Sequence, residues 1–222
     1  MHAAARNVAV IRRHAAMLLL VTAFATVTTY AATPVPAVPP VPDGGGRLWV
    51  EGGWAVPLRD LADGLDATPE GAGAIPGFEA GMGWRFGVTP AWSLAPTVHY
   101  VGYGDATGLG NDGEATLGAA SVRYGVELLW TANRPGARLI FGVTPALVHN
   151  RLHGAGKDHV TAVAGTGESF DLSVRSGIRF GNTEVSAVWH LNRFSSYRFF
   201  DTPTELDYNW DTVVLRFGWQ LP

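Results

Sequence analysis

From Arg47 onward the chain alternates between apolar and polar positions with a period of two, the signature of strands that present unlike faces. Eight segments follow this rule, at roughly 47–58, 76–87, 91–104, 115–131, 137–151, 168–180, 183–194 and 207–221. The second shows it most plainly. In "GFEAGMGWRFG", Gly77 to Gly87, one face reads Phe78, Ala80, Met82, Trp84, Phe86, and the other holds only glycine, Glu79 and Arg85. The same parity sets Leu48, Val50, Trp54 and Val56 against Glu51, and Trp92, Leu94, Val98 and Tyr100 against His99. It sets Ala120, Val122, Tyr124, Val126, Leu128 and Trp130 against Arg123 and Glu127, and Leu139, Phe141, Val143 and Leu147 against Arg138. In the last three segments Phe170, Leu172, Val174, Ile178 and Phe180 oppose Asp171, Arg175 and Arg179. Val185, Ala187, Trp189 and Leu191 oppose Glu184 and His190, and Val213, Leu215, Phe217, Trp219 and Leu221 oppose Arg216. The polar face thus gathers five acids and six arginines, close to balance.

The connections alternate too. Short ones fall at 88–90, 132–136 and 181–182 and carry the turn residues "VTP", "ANRPG" and "GN". Long ones are expected at about 59–75, 105–114, 152–167 and 195–206. An even number of antiparallel strands with tight turns at one end and long loops at the other predicts an all-β fold, an eight-stranded antiparallel up-and-down transmembrane barrel. Two features strain this frame. Pro96 and Pro145 fall inside strands, where each deletes a ladder hydrogen bond, so bulges are expected there. The hexapeptide "FGVTPA" occurs at 86–91, across a turn, and again at 141–146, within a strand.

Parity alone does not say which face points inward; a soluble, lipocalin-like barrel would hold its apolar face inside. Six of the eight tryptophans lie on the apolar face, and an eight-stranded interior is only just wide enough for side chains to fill it. Packing those rings inward would overfill the bore, whereas glycine, arginine and glutamate fit it. The aromatics also gather at strand ends. Trp84, Phe86, Trp92, Trp130, Phe141, Phe180, Phe217 and Trp219 fall near the short turns, and Trp54, Phe78, Tyr100, Phe170 and Trp189 toward the long loops. Two aromatic girdles around an aliphatic band match the two interfaces of a membrane.

Composition fits export. Arg6, Arg12 and Arg13 precede the apolar run "AAMLLLVTAFATV", Ala15 to Val27, and small residues follow near Ala31 and Ala32. The run is too short to span a bilayer, so residues 1–31 read as a signal peptide. Residues 32–46 form a Pro/Gly-rich periplasmic spacer, and 47–222 the barrel. Cysteine is absent, and only 16% of residues are charged, low for a soluble surface. Removing the leader takes away three arginines and no acids, so the formal charge falls from −3 to −6. That balance argues against a nucleic-acid partner.

Eight alternating strands behind a signal peptide and a proline-rich spacer resemble the small outer-membrane barrel proteins of the OmpA and OmpX type. The likeness is one of architecture and covers residues 47–222. It implies the outer membrane of a Gram-negative bacterium as location, membrane lipid, lipopolysaccharide and the barrel-insertion machinery as partners, and no cofactor. Members of that group usually end on an aromatic residue; here "VLRFGWQLP" keeps Phe217, Trp219 and Leu221 in parity but closes on Pro222.

Four constellations are candidates for chemistry. Glu51, Glu79, Arg85, Arg123, Glu127, Arg138, Asp171, Arg175, Arg179, Glu184, His190 and Arg216 would share the lumen, as an interlocked charge network that plugs the barrel or as the lining of a narrow channel or small-ligand transporter. Glu79 and Arg123 are within geometric reach of one another. "WHLNRFSSY", Trp189 to Tyr197, resembles in part the lipid A deacylases of the PagL type, whose His-x-Ser-Asn pattern supplies base and nucleophile. His190 matches, but Asn192 stands at the serine position, Arg193 follows, and Ser195 and Ser196 are out of register; parity also turns His190 into the lumen. His149 and His153 have the His-x-x-x-His spacing that could hold a metal on a helix, but with Asp158 and His159 they lie about a strand end and a glycine-containing loop, so no metal is expected. Acids crowd the first two long loops, at Asp60, Asp63, Asp66, Glu70, Asp105, Asp112 and Glu114. They would meet a surface ligand, or divalent cations that bridge lipopolysaccharide. The expectation is therefore a non-enzymatic barrel with a packed polar lumen, acting structurally or through its outward loops.

Overall fold

The computed structural model describes the backbone of residues 46–58, 75–104, 106–110, 113–134, 136–156, 162–199 and 202–221, and side chains over 46–58, 75–104, 118–133, 136–151, 166–193 and 210–221. The expected signal peptide, most of the spacer and the first long loop, with Asp60, Asp63, Asp66 and Glu70, lie outside the described residues. So do Asp105, Asp112, Asp158 and His159, and the side chains of Glu114, His153, Ser195 and Ser196.

Ten strands follow one another: β1 (Arg47–Pro57), β2 (Ile75–Gly87), β3 (Trp92–Gly104), β4 (Ala106–Gly110), β5 (Gly113–Arg134), β6 (Ala137–Gly156), β7 (Ala162–Phe180), β8 (Thr183–Phe199), β9 (Thr202–Asn209) and β10 (Thr212–Gln220). Every pairing is antiparallel and joins neighbours, and β10 pairs with both β8 and β1, which closes the sheet. β4 continues the path of β3 along β5, and β9 continues that of β10 along β8. The ten strands thus make an eight-stranded up-and-down barrel. Crossing it at right angles to the strands from Arg47, by register through Arg85, Ala95, Glu127, Thr144, Ser173, His190 and Thr212, returns to β1 at Pro57, ten residues nearer the long-loop end. A stagger of that size corresponds to strands tilted by about 40°.

The faces sort by parity. Trp54, Phe78, Met82, Trp84, Tyr124, Leu147, Phe170, Phe217 and Trp219 are exposed on the outside, with Trp54 at 64% and Leu147 at 69%. The alternate positions, including Glu79, Arg123, Glu127, Asp171, Arg175, Glu184, His190 and Arg216, are buried in the bore. A wall of exposed tryptophan, phenylalanine and leucine around buried ions is the inverse of a soluble protein, and a closed barrel is the only sheet without an unpaired edge in hydrocarbon. Apolar side chains enter the bore as well, where Trp49, Val101, Leu129, Ile140, Val188 and Val214 are buried among the ions.

Two differences from the sequence reading stand out. First, the expected long loops at 105–114, 152–167 and 195–206 are largely strand: β5 reaches back to Gly113, β6 runs on to Gly156, β7 starts at Ala162 and β8 ends at Phe199. Alternation reports burial of one face, and backbone pairing continues where that contrast ends. Second, Pro96 and Pro145 make no bulge. The β2–β3 ladder skips Ala95–Pro96 and the β5–β6 ladder skips Thr144–Pro145, and each resumes in the same register. Both prolines present an N without hydrogen to one neighbour and pair normally in register with the other, opposite Val126 and Leu172. The register shifts fall near the long-loop end instead, between Ile75 and Phe78, Thr166 and Phe170, and Phe194 and Ser196. The short turns are tight, as the sequence predicts. Gly181, at φ 57, and Gly136, at φ 76, occupy the left-handed region that short hairpins need.

The two copies of "FGVTPA" take different structures. In the first, Val88 and Thr89 donate backbone N–H bonds to the Trp92 carbonyl at 2.8 and 3.0 Å, while the Thr89 hydroxyl accepts from the N–H of Ala91 and Trp92 at 3.3 and 3.0 Å. The second runs straight through β6. Six residues do not decide between turn and strand; the length of paired sheet on either side does.

Full-length protein extracted from membranes is expected to run at a different apparent mass on SDS gels before and after boiling, since the closed sheet resists detergent. Identical migration in a soluble fraction would mean that the exposed wall does not face lipid.

Candidate functional site

The lumen begins, at the short-turn end, with a tryptophan. Trp49 lies between two guanidiniums, with Arg85 4.5 Å and Arg179 4.8 Å from its ring. These are cation–π contacts in a dry site. The ring fits because Gly218 lies beneath it, where a Cβ would run into the indole; likewise a Cβ on Gly81 would meet the His99 ring. The glycines on the polar face are therefore the space that large lumen side chains occupy.

Above Trp49 the charges join into one web. Glu184 accepts from Arg179 at 3.0 and 3.2 Å and from Arg85 at 3.5 Å, and pairs with Arg175. Arg175 reaches on to Glu51 at 2.8 Å and Glu127 at 2.9 Å, and donates to the Ser186 hydroxyl at 3.1 Å. Arg85 also holds Glu127 at 3.1 Å. Arg216 links Glu51, at 2.9 Å, to Glu79. Glu79 meets His99 Nδ1 at 3.2 Å and His190 Nε2 at 2.9 Å. His190 Nδ1 faces Asp171 at 3.1 Å and Ser173 Oγ at 2.6 Å, and Arg123 Nε lies 3.2 Å from Asp171. Five carboxylates and five guanidiniums, with two histidines, thus form a continuous chain of contacts.

Nearer the long loops, neutral polar groups take over. Asn150 donates to Ser169 at 2.8 Å, Ser169 to Asn192 at 2.6 Å, and Asn192 back to Asn150 at 3.0 Å, closing a ring. The hydroxyls of Tyr103 and Thr212 share a hydrogen bond of 2.5 Å, and Trp210, two residues before Thr212, is fully buried. The two tryptophans off the apolar face therefore lie toward opposite ends of the bore.

The structure brings together most of the residues assigned to the lumen, with different partners in places. Glu79 and Arg123 are not a pair: Arg123 goes to Asp171, and Glu79 to Arg216 and the two histidines. Arg138 is half-buried near the short turns, opposite Arg179 in register. The aromatics assigned to the girdles lie on the outer face; Trp130 among them is half-buried, its ring 5.6 Å from that of Phe141. His149 stands exposed on the outer wall, turned away from the lumen. Trp49, Ser173, Asn150 and Asn192 are contributors that charge and hydropathy alone do not reveal. Trp49 was legible only as a bulky residue on the face otherwise reserved for small or charged ones.

The contact order Ser173, His190, Glu79 is that of a hydrolase relay. Here the Ser173 hydroxyl also donates to Asp171 at 3.0 Å, and Ser173, His190 and Glu79 are all buried. In this packing the hydroxyl is engaged by its neighbours and turned away from lipid. Asn192, at the serine position of the deacylase-like stretch, belongs to the amide ring, and Arg193 points outward.

No protein-family model matches the chain, and no curated protein matches it in sequence. Among solved structures it is similar to Neisserial surface protein A, at 14% identity and TM-score 0.48 over 79% of this chain and 96% of that one. It is similar to Ail, the attachment invasion locus protein of Yersinia pestis, at 13% and 0.44 over 79% and 99%. The N-terminal β-barrel domain of Pseudomonas aeruginosa OprF gives 13% and 0.44 over 81% and 100%. At this distance the likeness says nothing of activity, and the barrel is established by the chain's own strand pairing.

Glu184 holds three guanidiniums, so Glu184→Gln leaves buried charge without compensation. A loss of about 3–5 kcal/mol is expected, read as a lower urea midpoint for unfolding of the vesicle-inserted barrel. Exposed Glu168→Gln should change stability by less than about 0.5 kcal/mol. Equal midpoints for the two variants would show that the web does not hold the barrel together.

Proposed function

We propose that the chain is an integral outer-membrane protein of a Gram-negative bacterium: a sealed barrel that anchors and displays a surface-exposed sheet. The observation that carries this reading is the filled bore. An ion-pair web, with a tryptophan toward each end, occupies the interior that a pore would need to keep open. An eight-stranded barrel has little room to spare, and each ion in the web is held by partners whose loss would strand it in low dielectric.

The strand lengths support the display part of the reading. About 9–11 residues carry a tilted strand across the hydrocarbon, yet β5, β6, β7 and β8 have 22, 20, 19 and 17. β1 and β2 have only 11 and 13. The surplus lies at the long-loop end on one side of the barrel, as paired backbone. In this reading the outer aromatics sit at the two membrane interfaces, and the raised sheet is the part that meets a surface ligand. The last strand, β10, with Phe217 and Trp219 outward, is the segment offered to the barrel-insertion machinery. A lipid A deacylase and a narrow channel or small-ligand transporter are the competing readings. The burial of His190 and Ser173 speaks against the first, and the filled bore against the second.

Protein reconstituted into a planar bilayer is expected to give no stepwise ion current at moderate voltage. Steady single-channel openings from the intact chain would contradict a sealed barrel and favour the channel.

A further inference from the structure

Among the described outward-facing strand positions, nearly all are uncharged. The exceptions are His149 and Arg151 on β6, Glu168 on β7 and Arg193 on β8, all four exposed. They occupy one sector, just beyond Leu147 and Phe170 toward the long-loop end. Arg193 pairs in register with Phe170, and Phe170 with Leu147. The stagger of the barrel changes their heights. A path at right angles to the strands climbs ten residues per circuit, just over one per strand, so Arg193 stands level with His149 and Arg151 rather than with Leu147. The two strands that carry them are about 12 Å apart at equal height. Arg151 and Arg193 make no ion pair among the described residues, and Glu168 between them balances only one of the two guanidiniums.

We propose that this sector is a binding site for the phosphorylated headgroup of an outer-leaflet glycolipid, with Arg151 and Arg193 each taking a phosphate. The inference rests on the outer-membrane reading. The site is on the lipid-facing wall at the depth where the apolar belt gives way to polar residues. A ligand held there must combine acyl chains, which lie against Leu147 and Phe170, with anionic groups directly above them. A lipid A disaccharide bearing separated phosphates has that shape and charge. Guanidiniums suit it because their planar fork binds phosphate through paired, charge-assisted bonds.

The test uses full-length protein in phosphatidylcholine vesicles doped with lipid A, re-extracted in mild detergent, with retained lipid A measured by mass spectrometry. The double variant Arg151→Gln/Arg193→Gln is expected to retain roughly tenfold less than wild type, the effect of losing two solvent-exposed ion pairs. Dephosphorylated lipid A is expected to be retained no better by wild type than intact lipid A is by the variant. Equal retention by wild type and variant, or equal retention of the dephosphorylated lipid, would each overturn the proposal. The variant should keep its heat-dependent gel shift, which separates loss of the site from loss of the barrel. A wild-type chain that showed no such shift would instead remove the outer-membrane reading on which the site depends.

Discussion

Buried charge must be compensated by buried charge, and in this molecule that constraint organises everything inside the sheet. Five carboxylates and five guanidiniums could not enter a bore of eight strands singly, since each alone carries a desolvation cost of several kcal/mol. They enter as one network, so each strand depends on others far along the chain. Arg175 on β7 binds Glu51 on β1, Glu127 on β5 and Glu184 on β8; Arg216 on β10 binds Glu51 on β1 and Glu79 on β2. The web therefore works across the barrel where backbone hydrogen bonds work around it. It also accounts for the glycines: Gly81 and Gly218 are small because His99 and Trp49 are large.

The outer wall answers to a different solvent. Apolar burial cannot drive this fold as it does a soluble protein, because the largest apolar side chains face out. The inside is instead filled by ions, amides and a few apolar residues such as Leu129 and Ile140. The hand of the stagger then sets which residues share a height. It brings Arg193 level with His149 and so turns scattered basic residues into a sector, a relation invisible along any single strand.

Much of this was legible in the sequence. Alternation in "GFEAGMGWRFG" is strong because every inward position is glycine or an ion and every outward one is apolar. Strand order follows from short turns such as "GN". The top of the barrel was less legible: alternation in the sequence fades toward the long-loop end, and β4, β9 and the ends of β5 to β8 look like loop. The prolines misled for a related reason. A ladder needs most of its bonds but tolerates a skipped pair when the strand is held on its other side, as Pro96 is by β5 and Pro145 by β7. Individual partners in the web were beyond reach, because parity gives a residue's face and not its depth. Arg123 goes to Asp171, while Glu79 is taken by Arg216, His99 and His190.

The division of faces can be measured directly, because the chain contains no cysteine. Single cysteines replace alanines at Ala80 and Ala187 on the outer wall and at Ala55, Ala95 and Ala119, which are buried in the bore. Each variant is reconstituted in vesicles and offered a lipid-soluble or a water-soluble maleimide. The outer cysteines should react only with the lipid-soluble reagent, and the inner ones with neither until the barrel is unfolded. Ready labelling of the inner cysteines by the water-soluble reagent in the folded protein would mean an open, hydrated bore, and the sealed-lumen account would be wrong.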